Sequence, residues 1–337
     1  MEPRDRFIGC LIGTAVGDSL LLPAEGLSRK RIARRFAGPL HQRLVFGHGM
    51  VSDDTDHQFM TARALAAHRD DAIRFARRLG WRLRWWLACI PAGCGQATAK
   101  GIVRLMLGWS PERSGVASGG NGPSMRAAII GAVHAHDSAL RRAFVTASTS
   151  LTHRHPHALA AALAVAETAA WIVRGESIAE LWPLLAHPDP EWSRVLTILR
   201  TWHDSGGTTD ALAESLGCPQ YVSGWSLQSI PFALGCWLRH RGDATSSMTA
   251  VLRAGGDTDT IGAIIGGLHG VDQGEAAFPP AWVGRIIDWP VSLSALRAAG
   301  AALAGAPTAR WRWQFLPLRN FCFTGVVIVH IVRRLMP

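Results

Sequence analysis

Apolar residues in this chain come in helix-length runs of Ala, Leu, Ile and Trp. They almost never follow the period-two alternation of β-branched residues that a half-buried strand needs. The runs at 61–68, 127–134, 229–239 and 263–268 are rich in strong helix formers. The run at 157–173 is apolar nearly all round, as the central helix of a large bundle would be. Only 326–329 hints at a strand. Breakers are short, at 91–95, 115–124, 205–207 and 255–256, and there is no internal repeat or low-complexity linker. The expected fold class is therefore all-α, one large helical bundle over residues 1–337. Within it, 297–337 forms a basic, apolar extension packed on the bundle or lying at an interface.

Hydrophobic residues make up 48% of the chain and charged ones 18%, which excludes a disordered or fibrous protein. The net charge is +10, and of the 35 basic residues only Lys30 and Lys100 are not Arg. That skew fits genome composition bias as well as phosphate-binding chemistry. Arg29, Lys30, Arg31, Arg34, Arg35 and Arg43 form a run without acids, able to attract phosphate or to serve as a solvated face. No recognised nucleic-acid module accompanies it.

The first apolar stretch, 7–16, runs into Asp18 without the form of a signal peptide. The longest apolar run, 321–332, is too short for a bilayer, which needs about 20 helical residues. It is expected to be buried. Interfacial anchoring is the alternative, because Arg319, Arg333 and Arg334 flank it and no acid follows Asp288. No stable membrane span is expected. Six scattered cysteines (Cys10, Cys89, Cys94, Cys218, Cys236, Cys322) lack zinc spacing and read as reduced, buried thiols of a cytoplasmic protein.

The chemistry concentrates in two motifs about two hundred residues apart, Ser52-Asp53-Asp54-Thr55 and Gly255-Gly256-Asp257-Thr258-Asp259-Thr260. Each crowds two carboxylates beside hydroxyls ahead of an apolar helix. Asp and Thr there are also ordinary N-cap chemistry. Two such motifs brought together offer four carboxylates, enough to balance two hard dications of the Mg2+ type. Two metals roughly 3.5–4 Å apart can orient a substrate and activate a water. Gly255 and Gly256 suit a tight backbone approach ahead of a helix beginning near Thr260. Ser118-Gly119-Gly120-Asn121-Gly122, before Pro123-Ser124-Met125-Arg126, could cradle a phosphate. His153 stands at the head of the central helix.

In this order the motifs resemble the ADP-ribosylglycohydrolase family, the group of the dinitrogenase reductase-activating glycohydrolase. The likeness runs over about residues 6–270. It rests on 9–18 with Asp18, on Glu25, and on Ser52 to Thr55. It continues through Gly120-Asn121-Gly122 with Met125-Arg126, Thr152-His153 and Ser229-Ile230-Pro231, then Gly255 to Thr260 with Gly262 and Gly266.

The resemblance implies an orthogonal helical bundle with a binuclear site for two Mg2+, Mn2+ being possible. Ser52, Asp53, Asp54, Asp257, Asp259 and Thr260 would ligate. It also implies hydrolysis of the bond between ADP-ribose and a modified protein or nucleic acid, with ADP-ribose released. Ser118, Gly119, Asn121 and Gly122 would lie along the ligand, with Gly93 nearby and His153 on its ribose side. Two positions depart from the family pattern. Leu21 stands where many members carry Gly, and Ala92-Gly93-Cys94-Gly95-Gln96 lacks the Asp some members use as a base. Glu25 is then the expected acid/base, with Asp54 beside it among the catalytic residues. A non-catalytic ADP-ribose or nucleotide-binding module and a two-metal phosphoesterase acting on nucleic acid are the competing readings.

Overall fold

A computed structural model describes residues 1–335. From the start of the chain, α1 (Pro3–Leu21), α2 (Arg29–Arg35), α3 (Asp53–Ala67) and α4 (Ala72–Ala88) lead to α5 (Gln96–Met106). After a Gly-rich stretch come α6 (Ala128–Val133), α7 (Ser138–Ser150) and α8 (Pro156–Arg174). The middle holds α9 (Ile178–Leu184), α10 (Pro190–Ser205) and α11 (Thr209–Ser215). Then follow α12 (Ser226–Arg239), α13 (Ala244–Ala254), α14 (Thr258–Gln273), α15 (Pro280–Val283), α16 (Leu293–Leu303) and α17 (Leu316–Leu335). The described residues hold no β-strand, only isolated bridges. The all-α expectation is met.

Helices α1 and α14 form the centre. Gly9, Gly13 and Gly17 lie four apart on α1, and Gly262, Gly266 and Gly270 lie four apart on α14. They meet in antiparallel order, Gly9 with Gly270, Gly13 with Gly266 and Gly17 with Gly262. A Cβ at any of the six would overlap the backbone of its opposite number. The two backbones therefore touch directly, closer than helices separated by ordinary side chains. Most residues of both helices are buried. α8 packs against α14, buried over most of its length as its all-round apolar pattern requires, and it ends on Gly175 in the left-handed conformation, φ 68°.

The helix starts sharpen the sequence reading. α3 begins at Asp53, ahead of its apolar run, because the Ser52 hydroxyl accepts from the Asp54 N–H and caps it. α14 begins at Thr258 rather than at Thr260. The strand hint at 326–329 is overturned, since these residues lie inside α17. Their branched side chains continue a helical stripe, and no neighbouring strand is there to pair with them. The run 321–332 was expected to be buried, and much of it is exposed: Phe321, Ile328, Val329, Ile331 and Val332 all face outward. Four cysteines are buried as expected, whereas Cys94 is half-buried and Cys322 is exposed on α17.

The central seam makes a direct prediction. Gly266→Ala should destabilise the fold by about 1–3 kcal/mol or more, as overpacking of a tight core does. Gly325→Ala on α17, where nothing lies within 4 Å of the added methyl, should cost nothing measurable. Urea unfolding of both variants checks this. Equal stability of the two would show that the backbones can simply move apart.

Candidate active site

The seam sets Asp18, near the end of α1, against the start of α3. Asp18 Oδ2 accepts from the Ser52 N–H at 2.9 Å, the Thr55 N–H at 3.2 Å and the Thr55 hydroxyl at 2.5 Å. One carboxylate thus fixes the first turn of the helix that carries Asp53 and Asp54. Burial pushes Asp18 up to about 7, against these hydrogen bonds.

The second motif is placed by two glycines with positive φ, Gly255 at 70° and Gly256 at 86°. Gly256 donates to Leu27 O at 2.8 Å and its carbonyl accepts from the Gly26 N–H at 2.7 Å. The Asp257 N–H donates to Val222 O at 2.9 Å. A side chain on Gly256 would collide with Val222, so the turn requires glycine for space as well as for φ. This clip also holds the exposed turn bearing Glu25 over the start of α14.

Glu25, Asp53, Asp257, Asp259 and Thr260 consequently line one cleft of about 350 Å³. Gly93, Ser118, Asn121, Gly122 and His153 also line it. Ser52 and Asp54 lie just behind it, Asp54 only 1% exposed. Asp54 Oδ2 accepts from the Thr260 hydroxyl at 3.2 Å and the Ser52 hydroxyl at 3.3 Å. That contact joins the two motifs directly. Asn121 Nδ2 donates to Asp257 Oδ2 at 2.5 Å and to Ser229 Oγ at 3.1 Å, tying the Gly-rich loop to α12 and to the second motif. Gly119 does not face the cleft. A Cβ there would strike the Trp225 indole, so this glycine serves loop packing.

The carboxylates disturb one another. Burial and the neighbouring acids hold Asp53, Asp54 and Asp259 well above the usual carboxylate range. Burial also raises Asp257. The Glu25 carboxyl is raised by withdrawal from water and then by Asp257, while Asp259 and Arg334 act the other way. Asp54 Oδ1 and Asp259 Oδ1 are buried without any hydrogen-bond partner. Among the described residues, no three His, Cys, Asp or Glu side chains converge as a closed ion site. The donor set still fits a hard divalent cation: oxygen only, mutually repelling, with unused buried lone pairs.

On the opposite wall His153 is neutral, pulled down to about 3 by burial and then by Arg126. Buried Arg126 donates to Thr152 Oγ1 at 2.9 Å, and Thr152 Oγ1 lies 2.9 Å from His153 Nδ1. The Thr152 proton is free to go to Nδ1, which leaves the ring proton on Nε2, beside Gly120.

Sequence reasoning gave Asp18 no role of its own, and it missed Gln96, Thr98 and Gly224, which also line the cleft. It missed a further brace from α17. Arg319 pairs with Asp288 at 2.7 Å and donates to Val51 O, while the Val51 N–H donates to Asp288 at 3.0 Å. Both polar groups of the residue before Ser52 are held by this buried pair. The one available signal was an Arg at the head of an apolar run, with Asp288 the last acid of the chain.

An all-α fold with a carboxylate-lined cleft at the head of its two central helices matches a known class. The family profile for ADP-ribosylglycohydrolase covers residues 1–310. The chain is 26% identical over 316 residues to the ADP-ribosyl-[dinitrogen reductase] glycohydrolase of Rhodospirillum rubrum, covering 89% of this chain and 96% of that protein. It is 30% identical over 293 residues to an uncharacterized protein of Archaeoglobus fulgidus, covering 85% and 92% respectively. A solved structure titled "ADP-ribosylglycohydrolase-related protein complex" superposes with a TM-score of 0.66 at 25% identity, over 90% of this chain and 98% of that one. The chain belongs to the ADP-ribosylglycohydrolase family, a family of hydrolases.

The raised carboxylates set a pH dependence. A carboxyl whose folded pKa is raised binds its proton more tightly in the folded state, so its contribution to stability is lost as pH rises through that folded value. The buried histidines, depressed in the fold, work the other way until about pH 7.5, where the unfolded chain has lost its imidazole protons, and comparison with Asp18→Asn cancels them. Metal-free protein should therefore lose thermal stability relative to Asp18→Asn from about pH 5 to 8, through the folded value of Asp18 near 7. Mg2+ should raise the melting temperature more at pH 8 than at pH 6.5. A melting temperature indifferent to both would contradict the crowded-carboxylate description.

Proposed function

We propose that this protein hydrolyses the bond between the anomeric carbon of ADP-ribose and a modified protein or nucleic acid, releasing ADP-ribose. The observation that carries the reading is the meeting of Asp53, Asp257, Asp259 and Glu25 in one cleft. Two Mg2+, or Mn2+, would be held by Ser52, Asp53 and Asp54 on one side and by Asp257, Asp259 and Thr260 on the other. When bound, such ions neutralise the carboxylates and grip hydroxyl oxygens of a sugar.

The protein's own groups supply the rest. The loop at 118–122 lies along the diphosphate, and the Nε2 proton of neutral His153 is offered to the ribose side. Asp18 and the Arg319–Asp288 pair keep the start of α3 in place. Glu25 sits over Asp257 and Asp259, its carboxyl raised by withdrawal from water and by Asp257, which makes it a stronger proton acceptor than an ordinary carboxylate. It takes a proton from the attacking water as the new bond to the anomeric carbon forms. The bond to the acceptor breaks through an oxocarbenium-like transition state, and the acceptor leaves with the proton that Glu25 took from the water. The absence of an Asp at 92–96 concentrates the acid/base work on Glu25.

Glu25→Gln should lower turnover by about 10²–10⁴-fold while leaving ADP-ribose binding largely intact. Chromatography of released ADP-ribose and calorimetry with the free nucleotide measure the two separately. Asp257→Ala should lose Mg2+ binding and turnover together. Wild-type turnover in Glu25→Gln would remove that residue from the mechanism, and release of AMP or phosphate would identify a phosphoesterase instead.

A further inference from the structure

Among the described residues, three helices are long and apolar enough to cross a membrane by length and composition, and their surroundings separate them. The windows in Pro3–Ala24 and Pro156–Arg174 are 89% and 78% buried inside the bundle, whereas that in Trp313–Arg334 is only 22% buried. The last one contains α17. Its 20 residues extend about 30 Å at 1.5 Å per residue.

α17 has two unlike faces. The inner face is fastened to the bundle. Arg319 is in the buried pair with Asp288, Asn320 Nδ2 donates to Cys89 O at 2.9 Å, and Phe323 lies under the Arg319 guanidinium. The outer face carries Leu318, Phe321, Gly325, Ile328 and Val332 at alternating spacings of three and four, with Phe321 80% exposed. This stripe holds no charge over its whole length.

Both ends of the stripe are arginine-rich. At its start, Arg63, Arg78 and Arg82 share a pocket with Trp311 and Trp313, and none of the three has a carboxylate partner among the described residues. Arg63 Nε and Arg82 Nε are buried with no hydrogen-bond acceptor. Partial burial, then Arg63 and Arg78, pulls Arg82 down to about 10, as expected of cations gathered without an anion. The exposed indoles of Trp81 and Trp85 border the adjoining pocket, which reaches Leu316 at the first turn of α17. At the other end, Arg333 lies over the exposed Phe46 ring, and Arg334 faces Arg31 and Arg35 of α2.

We propose that the outer face of α17 seats this protein peripherally on a bilayer of anionic phospholipid, the stripe entering the acyl boundary and the arginine clusters at its two ends taking headgroup phosphates. An apolar stripe flanked by arginine and tryptophan is the pattern of a helix lying in the plane of the interface. The charge selects this occupant over a second copy of the chain. Two copies joined along the stripe would bring arginine-rich ends together in a protein that already carries +10. Nucleic acid would satisfy the arginines but would leave the aliphatic stripe in water.

The helix lies along the surface rather than across the membrane, because crossing would tear Arg319 from its buried partner. The same helix grips the turn that bears Glu25. Arg334 donates to Glu25 O at 2.7 Å, and His330 Nε2 lies 3.0 Å from Pro23 O. Seating α17 therefore fixes the direction in which the cleft faces relative to the bilayer. The proposal needs no assumption about the reaction, since binding is read without turnover.

The test is flotation of the full-length protein with vesicles of phosphatidylcholine alone and of phosphatidylcholine mixed with phosphatidylglycerol. Binding should require phosphatidylglycerol and weaken with added salt. Phe321→Glu combined with Ile328→Glu should reduce it by at least about tenfold. Arg78→Glu combined with Arg82→Glu should do so independently, with circular dichroism confirming that each pair is folded. Undiminished flotation of both pairs would overturn the proposal. So would a dimer in sedimentation velocity that Phe321→Glu/Ile328→Glu dissolves without any vesicle binding in the wild type. Retention on a single-stranded oligonucleotide without flotation would overturn it equally.

Discussion

Direct backbone contact between α1 and α14 is the constraint on which everything else in this molecule rests. Three glycine pairs let two buried helices approach without side chains between them. That approach sets the end of α1, with Asp18, beside the start of α14, with Asp257 and Asp259. Asp18 then organises the first turn of α3, and the Gly255–Gly256 turn clips the Glu25 loop to the same place. Stability and site geometry therefore share one origin. A wider seam would separate the oxygen clusters even if every helix survived.

The cost of this arrangement is visible in its electrostatics. Five carboxylates around one cleft, in a protein of net charge +10, would be better separated if only folding mattered. Their raised proton affinities and the unpartnered oxygens of Asp54 and Asp259 are the strain that the proposed cations would relieve. The Arg319–Asp288 pair shows the opposite solution to buried charge. Both partners are present, their hydrogen bonds are made, and the result is a fixed support for Val51 and the α3 cap.

Much of the fold was legible because helix-length Ala and Leu runs with short glycine breaks leave few alternatives. The starts of α3 and α14 were less legible. The polar residues that begin them read as motif; Ser52 caps α3 locally, but Asp18, which holds that first turn, and Val222, which accepts from the Asp257 N–H, lie far away in sequence. The grouping of Asp53, Asp257 and Glu25 was anticipated from donor chemistry and from the order of motifs. Gly119 shows the limit of that approach. A glycine in a phosphate-like loop can serve a neighbouring indole, and spacing cannot tell the two uses apart. α17 was misjudged because burial was inferred from hydropathy alone. Its run of Val and Ile suggested a strand or a core segment, yet only Arg319, Asn320 and their neighbours face inward.

Crystals grown with Mn2+ test the central claim most directly, through anomalous diffraction at the manganese edge. Two peaks are expected in the cleft, bounded by Asp53 and Asp54 on one side and Asp257 and Asp259 on the other. A fully occupied ion elsewhere on the protein with the cleft empty, or the two motifs lying on separate surfaces, would contradict the account.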